Sequence, residues 1–179
     1  NLKEYLKDDV EDLSIIEDAA VLIIKNGLHD LCDIDSKEML KEQLSFEWDK
    51  HYWDTRHKKV LNKIARHNLC YSDEGGDPDY ENKLGRIIAL STAPNLKKWK
   101  DSLETFFGPK ANNLELEGNL YYDVKKCGIG FHGDGERKKV IACSLGKSRP
   151  IVWQYYHRCE VVGKRIEVLL EAGDMYIMS

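Results

Sequence analysis

The sequence predicts an α+β protein with a mainly β core, arranged as an antiparallel jelly roll with N-terminal helices packed outside it. The main observation is a series of short segments after position 110 that are rich in β-branched, aromatic and aliphatic residues and separated by turns. Segments with apolar residues at helical spacing lie before that position. The 179 residues suffice for one core and show no interdomain linker, so we expect a single domain, 1–179.

The first 110 residues are predicted to form an N-terminal extension. Leu2–Leu13 places apolar residues at helical spacing, and Ala20–Lys25 is a short apolar strand. We expect a second helix to start at Ser36, because a Ser cap followed by Glu38 and Glu42 suits the positive end of a helix dipole.

Two segments in the middle of this extension are dominated by polar and aromatic residues. Phe46–Asn68 is aromatic, basic and rich in His, and we interpret it as a basic helix with a surface or groove-lining role. The spacings of its His residues do not form a recognisable metal-ligand set. Tyr71–Asn82 contains Gly-Gly, Pro and five acidic residues, which predicts an irregular segment, either a surface loop or a lid.

The extension ends with a strand and an amphipathic helix. The strand is predicted at Arg86–Leu90, and Gly108 and Pro109 are expected to end the helix. One face of this helix is apolar and should pack against the outside of the sheet: Leu96, Trp99, Leu103 and Phe106.

Residues 111–179 are predicted to form an incomplete jelly-roll core of short strands. These strands are Gly118–Val124, Gly128–Phe131, Lys138–Leu145, Ile151–Tyr156, Arg165–Leu170 and Met175–Met178.

The most informative motif is His132-x-Asp134, beside the second of these strands. In an extended strand, residues two apart point to the same side, so the two side chains offer an imidazole nitrogen and a carboxylate oxygen to one point. These are two of the three ligands in the 2-His-1-carboxylate triad, which binds Fe(II) and leaves positions open for O2 and a co-substrate. The alternative is a metal-free jelly-roll binding module in which both residues are ordinary polar side chains.

About the last sixty residues resemble, in order and spacing, the AlkB-like branch of the Fe(II)/2-oxoglutarate-dependent dioxygenases. The resemblance rests on Asn119-Leu-Tyr121, His132-x-Asp134-x-Glu136, Val140–Arg149 and Glu171–Met178. It implies a double-stranded β-helix fold and favours the lid interpretation of the acidic segment before the core.

The resemblance also implies residue roles and cofactors, Fe(II) and 2-oxoglutarate. His132 and Asp134 correspond to the iron ligands, which are the catalytic centre. Asn119 and Tyr121 correspond to the residues that contact 2-oxoglutarate, and Glu136 corresponds to the acidic residue that reads the substrate base.

The family's third iron ligand is a His on the seventh strand, and an Arg on the eighth strand pairs with the far carboxylate of 2-oxoglutarate. This sequence reaches Ser179 inside or just after the sixth predicted strand, which would leave an unpaired sheet edge. We therefore expect two more strands, the third ligand and the Arg beyond it. His157 comes too early for the family's position, and we interpret it as a polar residue at a strand end.

The implied activity is hydroxylation or oxidative demethylation, with an alkylated nucleobase in DNA or RNA as the favoured substrate. Glu136 and the basic clusters around the motif favour a base, whereas the same chemistry on a protein side chain or small molecule is the alternative. Trp153 and Tyr155 would stack on a flat substrate ring, or else are core or outward aromatics of their strand.

Composition limits the remaining classes. A net charge of −4 argues against wholesale coating of nucleic acid but is compatible with a local basic face. Five Cys without a C-x-x-C pair favour thiols in a reducing compartment, hence an intracellular protein, cytoplasmic or nuclear. Cys127, near the motif, is interpreted as a small core residue or a thiol beside the metal. No apolar run approaches the length of a membrane span, so no membrane partner is expected.

Overall fold

The computed structural model of the chain describes residues 2–8, 14, 19–135 and 139–179. They form an α+β structure that is mainly β, which confirms the predicted class. The strands of these residues form four small sheets, none of which closes into a barrel. The chain divides into two compact units, a first unit of residues 1–37 and 131–179 and a second unit of residues 38–130.

The elements are short except for one helix and one hairpin. The helices are α1 (Leu2–Leu6), α2 (Gly27–Asp30), α3 (Ser36–Leu44) and α4 (Pro94–Phe107). The strands are β1 (Val21–Ile24), β2 (His51–Asp54), β3 (Lys59–Asn62), β4 (His67–Ser72), β5 (Ile87–Ala89), β6 (Leu116–Leu120), β7 (Val140–Cys143), β8 (Arg149–His157), β9 (Glu160–Leu170) and β10 (Met175–Met178). Among the described residues, no helix is long and apolar enough to cross a membrane.

The first unit contains a three-stranded antiparallel sheet in the order β1-β10-β7. Val21 lies opposite Met178, and Met175 lies opposite Cys143. Strand β10 is therefore paired along both sides, which explains its apolar sequence. The unpaired edge expected at this strand was a wrong prediction, because β1 occupies it.

The second sheet of this unit is the long hairpin of β8 and β9, against which α1 packs. Leu2, Leu6 and Tyr155 form its buried cluster. The pairing shifts register between Trp153 and Tyr155. At this irregularity β9 contains Gly163, whose φ of +67° and close approach to the Tyr5 ring both disfavour a Cβ atom.

The second unit contains the sheet β5-β4-β6 and a separate two-stranded hairpin, β2-β3. The helix predicted over Phe46–Asn68 is therefore wrong. The Asp54 carboxylate accepts the backbone N–H of His57, and Lys58 has a φ of 48°, so a side-chain-stabilised turn reverses the chain. The aromatic and β-branched residues on either side then pair as strands.

Helix α4 confirms the predicted amphipathic helix, with Leu96, Trp99 and Leu103 buried, although Phe106 is 46% exposed. At its N-terminus the residue in the cap position, Ala93, forms no side-chain hydrogen bond to the helix. Glu42 supplies one instead, because its carboxylate accepts the backbone N–H groups of Asn95 and Leu96 at 2.7 and 3.1 Å. The expected role of Glu42 in the first turn of α3 is thus replaced by a role at the neighbouring helix.

Two other boundaries differ from the sequence predictions. Helix α1 is described to Leu6, and residues 9–13 of the predicted helix lie outside the described residues. The strand predicted at Gly128–Phe131 is wrong, since these residues are irregular. Glycines at 128 and 130 disfavour a strand, because each loses more backbone entropy on folding than other residues and has no side chain to pack.

Candidate functional site

His132 and Asp134 lie in an irregular, exposed segment of the first unit rather than beside a strand. The Nε2 atom of His132 is 3.8 Å from Oδ1 of Asp134. The two side chains are 51% and 24% exposed. The nitrogen and the oxygen therefore lie close together in a segment that forms no strand.

The residue before this pair is held by a cation–π contact. The guanidinium of Arg165 on β9 lies 5.3 Å from the centre of the Phe131 ring. Such a contact stabilises by about 0.5–1 kcal/mol at an exposed site. It links the segment that contains the motif to the long hairpin of the same unit.

The donor types are those of part of a metal site, but their separation is longer than a bound ion would set. A six-coordinate ion with metal–ligand distances of about 2.1 Å places neighbouring donors about 3 Å apart. The observed separation would have to shorten by roughly 0.8 Å, which a side-chain rotation in an exposed segment can provide. No group of three His, Cys, Asp or Glu suited to a metal occurs in the part of the chain that is described.

Asn119 and Tyr121 belong to the second unit. Asn119 lies on β6, and its Oδ1 atom accepts hydrogen bonds from Arg66 Nε at 2.7 Å and Asn68 Nδ2 at 2.6 Å. Strand β6 ends at Leu120, so Tyr121 follows it directly and is partly exposed. The carbonyl of Asn119 is thus committed to neighbouring side chains, which leaves its NH2 group as the part suited to a carboxylate.

The two aromatic residues proposed to face a substrate differ in burial. Tyr155 is 8% exposed, and the centre of its ring is 5.9 Å from that of Tyr5. It is therefore a core aromatic, which was the alternative to a substrate-stacking role. Trp153 is partly exposed, donates from Nε1 to Met178 Sδ at 3.4 Å and meets the Tyr176 ring edge to face.

Three further predictions concern Glu136, Cys127 and the cysteines as a group. Glu136 lies outside the described residues. Cys127 is in the second unit, where its Sγ accepts the backbone N–H of Asp123 at 3.4 Å and donates to the Ile64 carbonyl at 3.7 Å. All five Cys are free thiols in the structure.

A buried charge that the sequence did not reveal lies in the second unit. Asp49 is 3% exposed, and its carboxylate accepts the Tyr80 hydroxyl at 2.8 Å and the backbone N–H groups of His51 and Arg86. Lys63 Nζ is 3.4 Å from the same carboxylate. The sequence did not indicate that Asp49 is buried, because its hydrogen-bond partners lie up to 37 positions away along the chain.

This cluster has a fixed charge state at neutral pH. Burial works against ionisation of Asp49, but the Tyr80 hydroxyl and the His51 N–H outweigh it and lower the pKa of the carboxyl. Burial and the Asp49 carboxylate together raise the pKa of Tyr80 to about 12. Tyr80 therefore stays a donor, and it ties the acidic segment 71–82 to the base of β2.

Comparison with known proteins gives one informative match. The chain is 38% identical over 161 residues to an uncharacterized protein of Acanthamoeba polyphaga mimivirus. The aligned region covers 90% of this chain and 61% of that protein, so the chain spans less than two thirds of its relative. No family model matches the chain. No solved structure matches it either.

Proposed function

We propose that this protein is an Fe(II)- and 2-oxoglutarate-dependent dioxygenase with a double-stranded β-helix core. The observation that supports it is the approach of His132 Nε2 to Asp134 Oδ1 at 3.8 Å, with both side chains accessible. An imidazole and a carboxylate suit Fe(II), and two protein ligands on one side leave room for a co-substrate. The proposal requires a third ligand besides this pair.

Bound iron with 2-oxoglutarate and O2 supplies the oxidant, while the protein positions the substrate and excludes water. One oxygen atom enters succinate as CO2 is released, and the other enters a substrate C–H bond. If that bond is in an N-methyl group, the hydroxylated carbon leaves as formaldehyde and the base keeps a hydrogen. His132 and Asp134 would hold the metal in this scheme, and Glu136 would contact the base.

Asn119 and Tyr121 are proposed to bind 2-oxoglutarate. The Asn119 NH2 group and the Tyr121 hydroxyl are both donors, and carboxylate oxygens accept such bonds. The bonds from Arg66 and Asn68 to the Asn119 carbonyl fix the amide orientation, so that its NH2 group points away from them. This orientation is the structural support for a carboxylate-binding role.

We favour an alkylated nucleobase in DNA or RNA as substrate. The support is chemical, since an acidic residue at 136 can accept from the Watson–Crick edge of a base and lysines at 125, 126 and 139 can meet phosphates. The same oxidation of a protein side chain or a small molecule is the second candidate.

The test uses the natural full-length protein with Fe(II), ascorbate and 2-oxoglutarate in air. Succinate and formaldehyde are measured with N-methylated and unmethylated single-stranded oligonucleotides. We expect succinate formation that His132→Ala and Asp134→Ala abolish, and formaldehyde with the methylated oligonucleotide alone. His157→Ala is the matched control, because it removes an imidazole from the same unit at a strand end.

The outcomes separate chemistry from substrate. Succinate that depends on both motif residues, without formaldehyde from any oligonucleotide, would support the oxidation and reject the nucleobase. Equal succinate from the wild type and the Asp134→Ala variant would reject the metal assignment.

A further inference from the structure

Residues 50–67 have a net positive charge, unlike the chain as a whole. That segment contains six Lys or Arg residues and one acidic residue, a net of +5, whereas the whole chain has a net charge of −4. The rest of the chain therefore has a net charge of −9. A local excess of this size produces a field that attracts polyanions even when the protein as a whole is acidic.

The structure places this charge on a β-hairpin. Strand β2 pairs with β3 from His51 opposite Asn62 to Asp54 opposite Lys59, and Lys63 N–H donates to the Lys50 carbonyl at 2.8 Å. The hairpin is a two-stranded sheet of its own, so no third strand of the described residues covers its edges. It extends the basic residues along a ribbon open to solvent.

Alternation along the two strands sorts the side chains into two faces. Lys50, Tyr52 and Asp54 of one strand share a face with Lys59, Leu61 and Lys63 of the other. This cationic face has Asp54 as its single acidic residue. The turn adds Arg56 and Lys58, both exposed.

The two acidic residues at the hairpin itself already have partners. Asp54 binds the backbone and the Nδ1 atom of His57, each at 2.9 Å, and Asp49 binds Lys63 and Tyr80. Lys50, Arg56, Lys58 and Lys59 form no ion pair with any carboxylate of residues 2–8, 14, 19–135 or 139–179. Four cations on one exposed ribbon are therefore available to an external anion.

An exposed aromatic ring stands among these cations. Tyr52 is 42% exposed on the cationic face, so its ring is accessible from solvent. It borders a hollow of about 160 Å³ that Trp53, Lys63, Tyr80 and Lys83 also line. The hollow is smaller than the roughly 300–1,000 Å³ of pockets that enclose a drug-sized ligand, so it suits one ring of a longer molecule. Asp49 also lines it, and its negative charge disfavours a phosphate there.

We propose that the hairpin of residues 50–63 binds single-stranded nucleic acid. Lys50, Arg56, Lys58 and Lys59 contact successive phosphates, and Tyr52 stacks on an unpaired base. Cations along the backbone path with an exposed aromatic ring are the combination that binds single strands without sequence preference. A single strand is favoured over a duplex because stacking on Tyr52 needs a base whose face is accessible. The proposal does not depend on the iron chemistry.

The experiment measures binding of fluorescein-labelled oligo-dT and oligo-U to the metal-free protein by fluorescence anisotropy at several salt concentrations. Lys58→Glu with Lys59→Glu should weaken binding at least tenfold at low salt and reduce the slope of log K against log salt by about 1.4 or more, since each lost phosphate contact removes about 0.7. Tyr52→Ala should weaken binding about five- to hundredfold, and Tyr52→Phe should retain it.

The matched control is Lys97→Glu with Lys98→Glu, the same charge change on the exposed face of α4. It should change the affinity less than threefold, and circular dichroism should show every variant folded. An equal loss in hairpin and control variants would overturn the proposal. So would tighter binding to a duplex of the same length, or binding to phosphatidylserine vesicles but to no oligonucleotide.

Discussion

The carboxylate of Asp174 fastens the turn between β9 and β10 to the start of α2, and Asp174→Ala should destabilise the protein strongly. Asp174 is 2% exposed. Its Oδ1 atom accepts the backbone N–H of Asn26 at 2.9 Å, and its Oδ2 atom accepts the N–H of Glu171 at 2.8 Å. Lys25 Nζ also donates to Oδ2.

The size of the effect follows from these contacts. Removing the carboxylate leaves two backbone donors without their acceptors, at about 1–3 kcal/mol each when buried. The Lys25 side chain is 54% exposed, so solvent screens its ion pair and the pair adds little to this sum. We expect Asp174→Ala to lower the free energy of unfolding by about 3 kcal/mol. Asp174→Asn keeps one acceptor oxygen and should lose about half of that.

The pH dependence gives an independent check. Burial opposes the charge on Asp174, but the hydrogen bonds from Glu171, Lys25 and Asn26 outweigh it and lower the pKa of the carboxyl. Because the folded pKa lies below the unfolded value of about 3.9, the stabilisation is fully present above that value. It is lost as the pH falls through the folded pKa.

The assay is urea unfolding followed by circular dichroism at pH 7 and at pH 3. The difference between the wild type and the Asp174→Asn variant should be largest at pH 7 and smaller at pH 3. A loss below about 1 kcal/mol for Asp174→Ala at pH 7 would refute the contact argument. A wild-type advantage that grows toward pH 3 would refute the pKa argument.

Three other substitutions have expected outcomes. Glu42→Ala should lower the unfolding free energy by about 1–2 kcal/mol in urea titrations, because α4 loses its cap, and Glu42→Gln should lose less; equal losses would contradict the role of the charge. Gly163→Ala should lower the melting temperature, because the positive φ costs about 1–2 kcal/mol and the new Cβ would lie 2.5 Å from the Tyr5 ring. Combining it with Tyr5→Ala should relieve part of this penalty, so strictly additive effects would argue against the clash. Tyr121→Phe should raise the KM for 2-oxoglutarate about fivefold, equivalent to one hydrogen bond of about 1 kcal/mol, and an unchanged KM would exclude that contact.

Local patterns predicted the elements whose stability is local. The apolar periodicity of α4, the strand at Met175–Met178 and the Ser36 start of α3 are all visible in the sequence, and the structure confirms them. Each depends on neighbours within about one or two turns or on a continuous apolar run.

One failure concerns a local element without a clear pattern, and another concerns a contact between distant positions. The hairpin β2-β3 was mistaken for a helix, because its charged and aromatic residues lack a clear period and the turn depends on one Asp54 side chain. The cap from Glu42 to α4 joins residues 53 positions apart. No local pattern specifies which of many acidic residues reaches a helix terminus.

The candidate site was predictable as a motif but not as a geometry. The sequence placed His132 and Asp134 on one face of a strand, whereas they lie in an irregular segment with their donor atoms 3.8 Å apart. A glycine-rich sequence has little preference of its own, so its path depends on contacts such as Arg165 with Phe131. The imidazole and the carboxylate therefore lie close together, as the motif predicted, but outside a strand.

Anaerobic titration of the natural full-length protein with Fe(II), followed by calorimetry, tests the central claim most directly. We predict one Fe(II) per chain, with the affinity reduced at least tenfold by His132→Ala and by Asp134→Ala and unchanged by His157→Ala. Wild-type affinity in the Asp134→Ala variant would contradict the assignment of this carboxylate to the metal, and with it the proposed dioxygenase chemistry.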